Sequence, residues 1–308
     1  MTEPNTEFPL DQYHALRTGF GIFPLKGWSS VTFAGADREL FLNNFCTNDV
    51  KRLVPGEHCE AFITNVKGKI LGHGLVHCRE GELVFITVPD QAAALIEHLE
   101  RYIIREDVQL RDSTAERGYL LESGGDAAGR GPEAENWIRW RLLDTELCGL
   151  REVHPADLPR VQQEAQAAGA TECGEAAFHA LRIESGTPLF GVDFNADNLP
   201  QEVGRDEIAI SFTKGCYLGQ ETVARIDALG HVNQLLVGVR FAGPNVPPAG
   251  LELTSGENPA GRVTSASYSP RLESPLALAM VRRQWIAPDT PLESATGACR
   301  VVELPVHA

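Results

Sequence analysis

No apolar run in the chain approaches the roughly twenty residues needed to cross a bilayer; the longest are short pieces such as 83–88. The first nine residues are polar and acidic, without the basic start and apolar stretch of a secretory signal. The expected location is therefore the cytoplasm, with no membrane partner. Paired cysteines are also missing. Cys46, Cys59, Cys78, Cys148, Cys173, Cys216 and Cys299 are widely spaced, and none forms a CxxC pair. An odd, scattered set argues against a disulfide framework, and equally against a prebuilt zinc or iron–sulfur site, so no metal is expected. The nine histidines are dispersed too, with no HExxH pair. Positive charge is scarce: 27 basic residues face 42 acidic ones, a formal net charge of -15. Most of such a surface repels a phosphate backbone, which argues against direct nucleic-acid binding. A small anion can still bind where basic residues gather in one cleft.

What remains is an ordinary soluble composition, 43% hydrophobic and 22% charged over 308 residues, enough for one large core or several smaller ones. Strand-like stretches at 31–35, 59–65, 70–78 and 83–88 are separated by turn signals such as Val66-Lys67-Gly68-Lys69 and Glu80-Gly81. Helical spacing marks 37–45 and 91–103, and a further strand covers 108–110. This order, without strict alternation, predicts an α+β fold with helices packed on an antiparallel sheet. Residues 123–135 read as an exposed connection, 137–143 as a strand, and 158–168 and 175–183 as helices. The stretch 185–211 is rich in Gly, Pro, Asn and Asp; a loop of that length inside a domain is more often functional than accidental. Another helix is predicted over 217–229, with Gly230 as its stop. Beyond it, short strand-like pieces between Pro and Gly turns predict a small β-barrel. The expected division is 1–230, with an inner module at about 50–112, and 231–308.

Chemistry concentrates in Lys214-Gly215-Cys216-Tyr217-Leu218-Gly219-Gln220-Glu221. Cys216 falls at the predicted helix start, where unpaired N–H groups and the positive dipole end favour a thiolate, and Lys214 adds a nearby cation. Gly215 and Gly219 would let a ligand or another backbone approach closely. A second reading stays open: Cys216 as a small buried hydrophobe. Upstream, Glu184 stands at the C-terminal end of a predicted helix, an unfavourable place for an anion unless something pairs with it. A pterin edge offers an amino group and a ring N–H to such a carboxylate; pairing with Arg182 is the alternative.

These segments resemble the YgfZ group of the YgfZ/GcvT family, folate-binding proteins that include the glycine-cleavage T-protein. Residues 214–221 match the group's K-G-C-[FY]-x-G-Q-E pattern throughout. Arg182-Ile183-Glu184 with Pro188-Leu189-Phe190-Gly191, and Pro200-Gln201-Glu202, are similar to its central stretches. Thr47-Asn48-Asp49-Val50 and Val66-Lys67-Gly68-Lys69 resemble its first block, and Gly261-Arg262-Val263 its C-terminal barrel. The resemblance implies two α+β modules and a barrel around a central channel holding tetrahydrofolate. It makes Glu184 the pterin anchor and puts Thr47, Asn48 and Asp49 on the channel wall. Arg225 then meets the glutamate tail of folate, or belongs to a solvated helix face. The T-protein expects an acidic pair where this chain reads Ile70-Leu71-Gly72-His73-Gly74. With no carboxylate there, the resemblance implies support of iron–sulfur enzyme assembly or repair, with Cys216 as a reactive thiol. Iron–sulfur enzymes or assembly proteins would be its partners, and any effect on transfer-RNA modification indirect. The alternatives are a folate-dependent aminomethyl or one-carbon transferase, and a folate carrier in which Cys216 is structural.

Overall fold

The computed structural model describes residues 8–124, 137–139, 143, 148–230 and 232–307. Much of the connection read at 123–135 lies outside them, as does part of the strand read at 137–143.

One five-stranded sheet runs His58–Thr64, Ile70–Arg79, Glu82–Thr87, Ser29–Ala34, Gln109–Asp112, antiparallel throughout. It takes in Ser29–Ala34, so this unit starts earlier in the chain than the expected 50. Gly81, with φ of 81°, makes the tight turn between two of these strands. The helices Arg38–Asn43 and Ala92–Glu100 cover one face, burying Val31, Phe33, Leu83 and Phe85 with Phe41, Leu42, Leu95 and Leu99.

The opposite face is buried as well. Leu75, Val84 and Ile86 pack with Phe23, Tyr119 and Leu121 of a second sheet, ordered Thr171–Glu172, Gly21–Pro24, Gly118–Ser123, Cys148–Val153, Trp137–Arg139. Burial on both faces explains the unbroken apolar run Leu83, Val84, Phe85, Ile86. The second sheet is antiparallel apart from its two-residue edge strand, which pairs parallel to Gly21–Pro24. Its far face carries Ile22 and Leu120 against Val161 and Ala165 of the helix Leu158–Ala167.

The remaining strands close a six-stranded barrel in the order Gln234–Phe241, Ser274–Arg282, Asn258–Ser269, Glu252–Ser255, Pro291–Ser294, Gly297–Val302. Val239, Leu253, Val263, Ala279 and Val301 fill it. The helix Glu175–Glu184 lies between the second sheet and the barrel, giving Phe178 and Leu181 to one core and Ile183 to the other. Residues 185–211 are not a featureless loop. They contain a helical turn Pro200–Glu202, a short helix Asp206–Ala209 and a buried aromatic residue, Phe194.

Candidate functional site

The segment 214–221 is irregular for most of its length, and its helix begins only at Gln220. Gly219 is the N-cap with φ of 87°, and a Cβ there would stand 2.4 Å from the Asn65 carbonyl oxygen. That left-handed residue, tight against the turn at Asn65 and Gly68, delays the helix by three residues relative to the apolar spacing. Cys216 is therefore exposed on irregular chain, not at a helix N-terminus, and the dipole argument for its thiolate does not hold. It is not a buried hydrophobe either. Gly215 has open space where a Cβ would stand, so the close approach belongs to Gly219 alone. Gln220 is half-buried and Glu221 exposed at the first helical turn.

Lys214 turns inward. Its ammonium donates to the carbonyls of Asn43, Cys46 and Asn48, each at 2.7 Å, and lies 5.0 Å from the centre of the Tyr217 ring. Burial pulls its pKa down, opposed by the nearby Cys46 and Asp49. The cation serves the last turn of Arg38–Asn43 and the chain after it, so Lys214 is not the cation beside Cys216. The thiol within its reach is Cys46, 3.9 Å away, whose pKa is nevertheless pushed up by burial.

The first-block residues are joints of the same kind. Thr47 Oγ1 donates to the Ala209 carbonyl at 2.6 Å and accepts from the Phe62 N–H. Asn48 donates from Nδ2 to the carbonyls of Glu60 and Ile208. Asp49 pairs with Arg52 at 2.7 Å. Arg225 is exposed on its helix.

Glu184 is fully engaged by the chain. Its Oε2 accepts from the Tyr13 hydroxyl at 2.6 Å, and its Oε1 from the Ser269 hydroxyl and the Arg271 N–H. A pterin anchored there would have to displace these donors. Its partner is not Arg182, which is bonded to Asp193 at 2.9 Å; Asp193 in turn accepts from Thr264 and Ser265 of the barrel. Both charges at this helix end thus fasten it to the strand Asn258–Ser269, which answers the question of what pairs with a carboxylate there. Glu202 likewise caps its own turn through the Asn198 amide and the Leu199 N–H.

A second constellation has no counterpart in the sequence reading. Glu60 and His73 lie on neighbouring strands of the first sheet, with Phe62 opposite His73 in register. His73 Nε2 is 2.8 Å from Glu60 Oε1. Arg205 grips the same carboxylate in a fork, Nε to Oε1 at 2.8 Å and Nη2 to Oε2 at 2.6 Å. All three residues are more than nine-tenths buried. Burial alone would raise the Glu60 pKa; Arg205 and then His73 outweigh it and hold the carboxyl far below the usual range. A carboxylate thus lies on the strand beside residues 70–74, committed to Arg205 and His73. The His73 ring stacks on Phe62 at 4.7 Å and meets Phe194 edge-on at 5.5 Å. Arg205 carries the cluster to the wall of a cavity of about 490 Å³ bounded by Ser185, Gly186, Glu207 and the barrel residues Leu236 and Leu304. That volume is within the ordinary range for small-molecule sites, roughly 300–1,000 Å³. Among the described residues no three His, Cys, Asp or Glu side chains converge as metal ligands.

The arrangement of these modules has a solved counterpart. The glycine cleavage system aminomethyltransferase T from Bartonella henselae superposes with a TM-score of 0.85, covering 96% of this chain and 88% of that one at 22% identity. The fold is the aminomethyltransferase fold. Residues 235–307 match the glycine cleavage T-protein C-terminal barrel domain, the part to which Arg182 (through Asp193) and Glu184 are tied. In sequence the chain is 27% identical over 299 residues to an aminomethyltransferase of Rubrobacter xylanophilus, across 88% of this chain and 78% of the relative. It is 26% identical over 316 residues to one from Streptomyces avermitilis, across 91% and 83% respectively. The similarity to aminomethyltransferases is thus chain-long and not confined to the barrel.

Proposed function

We propose that this protein binds a reduced folate of the tetrahydrofolate type and handles one-carbon units on it, in the manner of a folate-dependent aminomethyltransferase. The chain-long likeness to aminomethyltransferases carries this reading. The objection drawn from sequence, that residues 70–74 hold no carboxylate, is weakened by Glu60 beside His73. Folate fits the pocket at some places and not at others. Arg205 on the cavity wall suits an anionic group, whereas the rings of Phe62, His73 and Phe194 are buried and line no described cavity, and the oxygens of Glu184 are already taken. Arg225, exposed on its helix, stays available to an anionic tail. Calorimetric titration with tetrahydrofolate is the test. Saturable binding, followed by tetrahydrofolate-dependent turnover of an aminomethyl donor, is expected; a flat titration removes the reading.

A second reading has its own observation. Cys216 is the exposed thiol among the described cysteines, set in a segment that resembles the YgfZ group. On that reading the folate protein supports iron–sulfur enzymes, Cys216 makes the protein contact, and the link to transfer-RNA modification is indirect. Cells carrying Cys216→Ala should then lose iron–sulfur enzyme activity while the purified variant keeps its folate affinity. Unchanged activities would leave the transferase reading alone. A cytoplasmic setting accords with both, and no described helix is long and apolar enough to cross a membrane.

A further inference from the structure

We propose that a cavity between the helix Gln220–Leu229 and the barrel binds a small organic ammonium ion on Gln201, Asp206 and Asp227. It adjoins the cavity beside Arg205, since Leu235 and Ile286 line both. Nothing in this depends on folate binding.

The cavity measures about 310 Å³, at the small end of the range for ligand sites. Gln201, on its wall, is 6% exposed. Its Nε2 donates to the Val223 carbonyl at 2.7 Å, and since a carbonyl only accepts, that bond fixes which end of the amide is which. Oε1 is then left buried with no donor. Asp206 lines the same cavity, and its Oδ1 is likewise buried without a partner. Such acceptors are costly to leave unmatched, and they share one cavity. Asp227, exposed on the neighbouring helix, adds a second carboxylate. Burial, followed by the charges of Asp227 and Glu207, pushes the Asp206 pKa up to about 6, the response of a carboxyl that no cation offsets. Arg283 also lines the cavity, but it is exposed and pairs with neither aspartate among the described residues. A primary ammonium ion answers this set. It carries three N–H donors for three acceptor side chains, and its alkyl part can lie against Ile226, Leu235 and Ile286. Calcium or magnesium would want six or more oxygens, more than these side chains supply beside so much apolar wall. A bound amine thus provides the donors that the fold itself withholds, and an unmatched acid kept at a cost to stability is what a binding site would retain.

The test uses the full-length protein carrying 13C-carboxyl-labelled aspartate, the Asp206 signal being assigned by its loss in Asp206→Asn. Addition of n-butylammonium chloride should shift that signal saturably and lower its titration midpoint by about one pH unit, because a bound cation favours the ionised carboxylate. Tetramethylammonium has the same charge and no N–H, and should bind about tenfold more weakly. Asp206→Asn, followed by ligand-observed NMR, should also bind n-butylammonium about tenfold more weakly. Its melting temperature at pH 7 should be no lower than that of the wild type, so the loss cannot come from unfolding. No saturable shift with n-butylammonium, equal affinity for the two ammonium ions, a response to calcium chloride in place of the amine, or wild-type affinity in Asp206→Asn overturns the proposal. A failed tetrahydrofolate titration would remove the folate reading and leave this site standing.

Discussion

Replacing Lys214 with Met separates two roles that the motif leaves entangled. The ammonium places its three donors on the carbonyls of Asn43, Cys46 and Asn48, and the side chain is 7% exposed. Methionine keeps the length and the apolar stem but strands three carbonyls, one of them beside the fully buried thiol of Cys46. Hydrogen bonds to a charged donor are worth about 1.5–3 kcal/mol each, and they are not additive. The cost of burying the ammonium, visible in its lowered pKa, offsets part of the sum. The net loss expected is about 3–5 kcal/mol, the range for breaking a buried polar cluster. At a urea dependence of about 3 kcal/mol per molar, the unfolding midpoint should fall by about 1 M or more. Lys214→Gln, which keeps an amide donor, should fall between. The second readout is the rate at which iodoacetamide alkylates Cys216 in the native protein, with the peptide identified by mass. Because the cation faces the interior, that rate should not change in either variant. A midpoint equal to wild type would refute the structural role, and a rate that drops severalfold with the fold intact would return Lys214 to the activation of Cys216.

Two further perturbations probe other joints. The Asp206 carboxyl is pushed up to about 6 by burial, with Asp227 and Glu207 adding to it, and its Oδ1 is buried without a partner. The folded state thus holds this proton more tightly than the unfolded chain, so the stability this carboxyl contributes is fully present below about pH 4 and is lost as pH rises through about 6. Asp206→Asn should gain roughly 1–3 kcal/mol over wild type at pH 7 and almost nothing at pH 4, measured by denaturant unfolding at both values; an equal difference at the two pH values would contradict it. Asp193→Ala should cost about 3–5 kcal/mol, because it leaves the Arg182 guanidinium buried and unpaired. Hydrogen exchange should then open 185–211 before the sheets, since the same carboxylate ties that stretch to Thr264 and Ser265.

Much of the fold was legible in local pattern. The strands about Glu80-Gly81, the helices near 158–168 and 175–183 and the strand-and-turn texture after Gly230 follow from alternation, helical spacing and turn residues, because those signals act over a few positions. The start of the last helix was misread for a physical reason. The spacing of Val223 and Ile226 runs back smoothly toward Tyr217, and only the approach of Gly219 to Asn65, a contact across 154 positions of chain, forbids helix there. The site was less legible still. Glu60 meets Arg205 across 145 positions, and Tyr13 meets Glu184 across 171. Lys214 binds backbone carbonyls, which every residue possesses and no sequence pattern advertises. The residue that could have prompted a search was His73, an imidazole in an otherwise apolar stretch where an acid was expected.

The motif residues fall into two groups once their contacts are known. Lys214, Glu184, Asn48 and Glu202 spend their polar atoms on the chain itself, fastening irregular segments to sheet, helix and barrel. Such residues fix the positions of neighbours and leave few free donors or acceptors for a ligand. Chemistry must then come from groups left uncommitted, and the exposed thiol of Cys216 is one of them. It is not remote from the Glu60, His73 and Arg205 cluster. Tyr217, next to the cysteine, is buried in one apolar cluster with Phe62 and Phe194, the two rings that hold His73. On the folate reading, a bound ligand that shifts that packing should alter the exposure of the cysteine segment through Tyr217. The expected outcome is a change in the rate of Cys216 alkylation on adding tetrahydrofolate, and an unchanged rate at saturation would refute the link.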